Sequence, residues 1–306
     1  MAIKYSIDLL VDSSTDANWR KWVQFIDDTL VLTGGWVNTA DTGQMDIATS
    51  AHPTLANQKV GYRIYRMNDA LQSTAPCFIK VYYGSRIVGA EPGIWLVIGS
   101  GSNGSGTITG TLHDDSATTA PTFAVGNNST TEITRSFGSA DSNRATFGMF
   151  CNTNTNGFQL LWGIERTVDA SGVADGTGFI IMGSSAGSGI SRSRYLEAAL
   201  GVPANQPPAE DGAGFILGAN PTNEFLVDTF GSDMIFGVCI PFRGTGQRPG
   251  YNWGCVRRNA SFNAGLATFD ARFRNQTIHY RSLGLAGMNL PGTGRQDGAT
   301  PCMRYD

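Results

Sequence analysis

Charge is scarce in this chain. Only 15% of its 306 residues are Asp, Glu, Lys or Arg, and the whole sequence holds four lysines, six glutamates and three histidines. An ordinary globular domain carries about 25% charged residues, so this surface must be built mostly from uncharged polar groups. With so few glutamates, a glycosidase would have to draw on aspartates. The adjacent pair Asp114 and Asp115 cannot flank one bond from a strand, because neighbours along a strand point to opposite faces. His52, His113 and His279 are widely separated and make no metal constellation.

Cysteine is sparse too. Cys77, Cys151, Cys239, Cys255 and Cys302 form no CxxC pair and no metal-type spacing. An odd count points to reduced thiols and synthesis in a cytosol. The opening residues lack the long apolar segment of a signal peptide. No apolar run approaches the ~18 residues of a spanning helix, so no membrane span is expected. Net charge is -3 and the isoelectric point lies near 5.6. That balance gives no whole-chain attraction to nucleic acid or anionic membrane, and no cofactor motif stands out.

What the chain has in quantity is Gly, Thr, Ser and Asn, together 110 of the 306 residues. All four are neutral to poor in helix interiors, which favours short strands joined by turns. Hydrophobic residues at 41% still supply a large core. The composition predicts a mainly β protein. It is read as a β-sandwich or jelly-roll-like body with one N-terminal amphipathic helix and a loop-rich C-terminal region.

Ile3, Tyr5, Ile7 and Leu9 alternate with polar residues, as a half-buried strand requires. A helix over about 15–32 follows. Ser13, Ser14 and Thr15 offer caps, Asp16 lies in the first turn, and Trp19, Trp22, Val23, Ile26 and Leu30 recur at helical spacing before Gly34 and Gly35. Strand patterns then recur. In 77–83, Phe78, Lys80 and Tyr82 oppose Cys77, Ile79, Val81 and Tyr83. Further strand signals fall at 62–65, 94–98, 107–112, 131–137, 145–150, 158–164, 179–182, 215–217, 234–242 and 277–283. A second helix is expected over Arg192–Leu200. Residues 203–212, 244–250 and 291–300 read as loops.

The sign of charge is uneven. Residues 1–240 carry a net -9, whereas 241–306 carry nine Arg against three Asp, a net +6. This divides the chain into a body over 1–240 and an Arg-bearing contact region over 241–306, whether a separate unit or part of the same domain. Arginine presents a planar five-donor fork suited to protein contacts, and Arg257, Arg258, Arg272, Arg274 and Arg281 are the candidate contacts.

Several motifs match by letter. Gly99-Ser100-Gly101-Ser102-Asn103-Gly104 fits GxGxxG, but a dinucleotide loop needs a helix next and Thr107–Thr111 reads as a strand, so a hairpin is expected. Gly183-Ser184-Ser185-Ala186-Gly187 fits GxSxG, and Asp228, Asp233 or Asp270 and then His279 follow in hydrolase order. The nucleophile elbow belongs to a parallel sheet with many helices, which this composition disfavours. Asn152-Thr153-Asn154-Thr155-Asn156-Gly157 imitates a calcium loop, yet Gly163 stands where the bidentate Glu belongs. Aromatics such as Trp36, Trp95, Trp162, Tyr62, Tyr65, Tyr82 and Tyr83 could stack on sugars, although strand aromatics mostly serve a core. Tyr251 and Trp253, set between Gly250 and Gly254, are the candidate glycan contacts because loop aromatics there have little core to join.

Three stretches carry a resemblance. They are Gly35-Trp36-Val37-Asn38-Thr39-Ala40-Asp41-Thr42-Gly43-Gln44, the segment from Gly61 to Pro76 that begins Gly61-Tyr62-Arg63-Ile64-Tyr65-Arg66, and Pro92-Gly93-Ile94-Trp95-Leu96-Val97-Ile98-Gly99. Over roughly the first 110 residues the chain resembles β-rich virion structural proteins of tailed bacteriophages, of the kind that decorate the tail, baseplate or collar. The resemblance implies a non-enzymatic, oligomeric particle component and carries over no catalytic residue. Its partners would be copies of itself and other virion proteins, assembled in the host bacterial cytoplasm. The alternatives are a host-glycan-binding module of the particle, a capsid decoration protein and, more remotely, a serine hydrolase.

Overall fold

A computed structural model of the chain describes residues 3–10, 14–32, 34–87, 91–125, 133–150, 158–168, 173–185, 190–197, 224–230, 233–240, 250–259, 268–273, 276–282 and 299–305. The alternating start forms β1 (Ile3–Leu10), and the next element is α1 (Asp16–Val31). Thr15 caps the helix, its side chain accepting from the Asn18 N–H at 3.3 Å. Gly34 closes it with a φ of +69°, and its N–H donates to the Val31 carbonyl.

A run of strands in chain order follows: β2 (Trp36–Asn38), β3 (Gln58–Met67), β4 (Phe78–Ile87), β5 (Glu91–Ser102), β6 (Ile108–Asp114) and the short β7 (Phe123–Ala124). They make a six-stranded sheet, β2-β3-β4-β5-β6, with β7 pairing β5. The period-two reading of 77–83 holds here. Cys77, Ile79, Val81 and Tyr83 enter the main core, while Phe78 and Tyr82 join a smaller cluster on the other face with Ile64, Val97 and Ile108. Gly84 is required for close pairing, because a side chain there would run into the Gln58 carbonyl of β3.

The remaining strands are β8 (Ile133–Asp141), β9 (Arg144–Phe150), β10 (Phe158–Val168), β11 (Ala174–Ser185), β12 (Ile190–Glu197), β13 (Glu224–Phe230), β14 (Asp233–Ile240), β15 (Gly250–Asn259), β16 (Thr268–Phe273), β17 (Gln276–Ser282) and β18 (Ala299–Arg304). With β1 they build a twelve-stranded sheet along the path β1-β8-β9-β10-β15-β18-β17-β16, and β11 to β14 branch from it. Every pairing among the described residues is antiparallel. The chain is mainly β with one described helix, as its composition predicts.

The helix lies between the two sheets, which explains why its buried surface exceeds the predicted stripe. Trp22 packs edge-on to Tyr83 of the six-stranded sheet at 6.1 Å, while Phe25 stacks on Tyr5 at 5.9 Å and meets Phe147 at 6.1 Å on the other side. Phe25 and Thr29 are buried together with Trp19, Val23, Ile26 and Leu30. One hydrophobic core draws residues from the helix and both sheets.

The predicted second helix is not found among its described residues, 192–197, and 198–200 lie outside them. Residues 190–197 form β12, paired with β11 from Gly178↔Glu197 to Ser184↔Ile190. Pairing with β11 overrides the helix propensity of Arg192, Arg194, Leu196 and Glu197. The signal at 215–217 and the loop at 203–212 lie outside the described residues. So do 244–249 and 291–298 of the expected loops, whose last residues begin β15 and β18.

Candidate functional site

Several ionisable side chains lie in the interior of this fold, while pairs such as Asp16 with Arg20 and Asp8 with Arg135 remain at the surface. Arg166 on β10 is fully buried and meets the 4% exposed carboxylate of Asp69, from the turn after β3, through Nε and through Nη2 at 3.0 Å. This two-pronged pair joins the sheets. Asp27 of α1 accepts from the Tyr65 hydroxyl at 2.7 Å and pairs with Arg63 at 2.9 Å. Burial pushes the Asp27 carboxyl up, against the opposing pull of Tyr65 and Arg63. Burial likewise raises the neighbouring Tyr65 and Tyr83 hydroxyls, and it drives the Cys77 thiol to about 12, leaving it unreactive. His113, Asp115 and Thr122 form a buried chain, with Asp115 accepting from Thr122 at 2.6 Å and lying 3.0 Å from His113. The chain pins β6 to the segment before β7, since the Leu96 N–H donates to the same Thr122 hydroxyl. Asp114 faces outward, opposite to Asp115, as the strand argument requires.

The structure places the candidate contact arginines on different parts of the twelve-stranded sheet. Arg257 and Arg258 sit near the C-terminal end of β15, paired to β14 on one side and β18 on the other. Arg272 is exposed on β16. Arg281 on β17 turns onto its own chain, its guanidinium 3.7 Å from the centre of the Phe137 ring and 5.4 Å from that of Tyr305. Arg274 lies outside the described residues. Strands β15 to β18, all from the 241–306 section, belong to the same sheet as β1 and β8 to β12. The Thr146 hydroxyl of β9 also donates to the Arg304 carbonyl at 2.9 Å.

Tyr251 and Trp253 lie in β15, where Tyr251 stands opposite Cys239 and Val168, and not in a loop. The flanking glycines that read as loop residues fall inside a paired strand. Trp36, Trp95, Trp162, Tyr65 and Tyr83 are fully buried and leave no sugar platform, while Tyr62 and Tyr82 are half-buried.

The GxGxxG run crosses from β5 into the turn before β6, the expected hairpin, with Ser102 opposite Ile108. Gly183, Ser184 and Ser185 end β11 while Ala186 and Gly187 lie outside the described residues, and the next described element is the antiparallel strand β12, Ser184 pairing with Ile190, where a nucleophile elbow needs a helix. Asp270 and His279 do come together as an exposed cross-strand pair on β16 and β17. Ser185 sits on β11, separated from β17 along the sheet by β10, β15 and β18. Asp228 lies on β13 and Asp233 on β14, while 152–157 are outside the described residues. Among the described residues no group of three or more His, Cys, Asp and Glu side chains gathers as a cation site.

An open groove of about 370 Å³ lies on the outer face of the six-stranded sheet. Its floor is a cross-strand row of Val37, Arg66 and Phe78, set directly opposite one another on β2, β3 and β4. Its wall is the segment after β2 and the β5–β6 turn, joined by Asp41. The Asp41 carboxylate accepts from the Ser102 hydroxyl, from the Thr39 hydroxyl at 2.6 Å and from the Gly106 N–H at 3.0 Å. Partial burial alone would raise this carboxyl, but those bonds, with the Gly104 amide, outweigh it and hold the pKa below the usual carboxylate range. Gly106 adopts a φ of +89° beneath the Tyr62 hydroxyl, where a side chain would clash. The Arg66 guanidinium has no hydrogen-bond or ion-pair partner among the described residues.

Compared with models of known protein families and with curated protein sequences, the chain matches none. Its function therefore has to be argued from geometry. Sequence reading missed the groove, because Asp41 and Ser102 are 61 residues apart and nothing in either segment announces the other. The visible signal was local: the turn-forming Thr39-Ala40-Asp41-Thr42-Gly43 run interrupts an edge strand. No described helix is long and apolar enough to cross a membrane.

Proposed function

We propose that this chain is a structural subunit of a bacteriophage virion, a tail, baseplate or collar component that acts through protein–protein contacts in a symmetric assembly. The observation that carries the reading is the commitment of ionisable groups to internal ties. Arg166 with Asp69, Arg63 with Asp27, and Asp115 with Thr122 join elements of the subunit instead of converging on an open cleft. Such a fold gives a stiff block with little exposed reactive chemistry, which suits a particle component. The likeness of residues 35–99 to tail-associated virion proteins points the same way.

Assembly follows from charge and symmetry. The acidic 1–240 section and the Arg-bearing 241–306 section are complementary, so one subunit can dock head to tail on the next and close a ring. Exposed Arg272 on β16 belongs to that surface. Arginine pairs at such a contact fix register and partner choice more than they add affinity. Mass measurement tests the reading, both on the purified chain and on purified particles. A discrete homo-oligomer and a fixed copy number per particle are expected. A chain that stays monomeric at all concentrations and is missing from particles contradicts it.

A further inference from the structure

The groove over β2, β3 and β4 has a chemistry that the scaffold role does not use. Its volume of about 370 Å³ sits at the lower end of small-ligand sites, roughly 300–1,000 Å³. The wall offers acceptors. The Thr39 and Ser102 hydroxyls both donate their protons to Asp41, and the Ser102 oxygen accepts from the Gly104 N–H at 3.4 Å, which leaves acceptor capacity on both hydroxyls beside the carboxylate. The floor offers donors, since the Arg66 guanidinium has no partner among the described residues. Beside Arg66 lie the half-buried Phe78 ring and the 36% exposed Val37 side chain, an apolar patch within a polar rim.

We propose that this groove binds a neutral saccharide, with one pyranose ring over Phe78 and its hydroxyls bridging Arg66 and the Asp41 wall. Charge balance selects this class. Asp41 and Arg66 carry opposite charges and form no ion pair with each other among the described contacts. A carboxylate ligand would satisfy Arg66 but face Asp41, and a cation would satisfy Asp41 but face Arg66. Each sugar hydroxyl donates and accepts at once, so vicinal hydroxyls answer the acceptor wall and the donor floor together. The C–H face of a pyranose covers Phe78 and Val37 and removes apolar surface from water. Nothing here involves Tyr251 or Trp253, and the inference stands apart from particle membership.

The test uses the full chain with methyl α-glucopyranoside, methyl β-galactopyranoside and N-acetylglucosamine as neutral probes, and glucuronic acid and glucosamine as charged ones. Saturation-transfer NMR and calorimetry should detect millimolar binding of at least one neutral probe, tighter than either charged sugar. Arg66→Ala should weaken that binding about tenfold or more, the loss of a hydrogen bond to a charged group. Its melting temperature should be unchanged, because Arg66 holds nothing in the fold. Val37→Trp, which fills the groove from an exposed position, should abolish binding. No binding by any neutral probe, tighter binding of a charged sugar, or unaltered binding by both variants overturns the proposal. The readout involves no assembly step, so failure here leaves the scaffold reading intact.

Discussion

Both sheets of this molecule pair mainly strands that are adjacent in sequence, but the twelve-stranded one also joins distant parts of the chain. In the six-stranded sheet, β2 to β6 are neighbours in both sequence and space, a meander whose longest connection is the 19 residues between Asn38 and Gln58. In the twelve-stranded sheet β1 lies beside β8, β10 beside β15 and β15 beside β18, so the ends of the chain are built into a structure that its middle begins. Local pairing closes small loops and declares itself in the sequence, whereas distant pairing orders long intervening segments first. The C-terminal strands are consequently part of the fabric. Phe137 of β8 is buried against Tyr305 and under Arg281, residues that arrive more than a hundred positions later.

Removing the distant partners should break this comparison most severely. A chain ending after Gly244 lacks β15 to β18 and uncovers Phe137, and it should lose its near-UV circular dichroism and its cooperative unfolding transition. An unchanged transition would make the 241–306 section an appendage. Next in size is the tie between the sheets. Arg166→Ala strands the buried Asp69 carboxylate and should cost about 3–5 kcal/mol in urea unfolding. Asp69→Ala combined with it should cost less than the sum of the singles, because both remove one interaction.

A smaller effect is expected where Arg281 covers Phe137. Arg281→Ala should cost ~1 kcal/mol, the worth of a partly desolvated cation over a ring, read from the same urea curves. The least change belongs to Asp41 in the meander. Its carboxyl is depressed in the folded state relative to an unfolded value near ~3.9. Its contribution is therefore whole above that pH and lost as pH falls through the depressed value. Acid titration should loosen the wall of the groove, seen as faster exchange of the Gly106 amide, and Asp41→Asn should flatten that dependence.

How much was legible follows the same division. The helix was visible because its cap, its apolar stripe and its terminal glycines are local features. Burial of Phe25 and Thr29 was not, since only the presence of a second sheet makes the helix two-sided. The faces of β4 were visible from alternation alone. β12 was hidden behind helix-forming residues whose strand state depends on β11. β15 was hidden because Gly250 and Gly254 read as loop punctuation, yet both lie within it, Gly250 opposite Ile240 of β14 and Gly254 where the register to β14 shifts. The arginine cluster was a composition signal without geometry: Arg281 turned inward onto Phe137, Arg272 remained outward, and Arg66, whose guanidinium has no partner among the described residues, belonged to no cluster. Of the hydrolase pattern only the Asp270–His279 contact materialised, as an adjacent-strand pair.

Native-state hydrogen exchange across the urea transition tests the central claim that local and distant strands form one cooperative block. Amides of β3, β4 and β5 and amides of β17 and β18 should open with the same free energy and the same denaturant dependence. Exchange of β17 and β18 at a far lower free energy, with the meander still closed, would contradict the account.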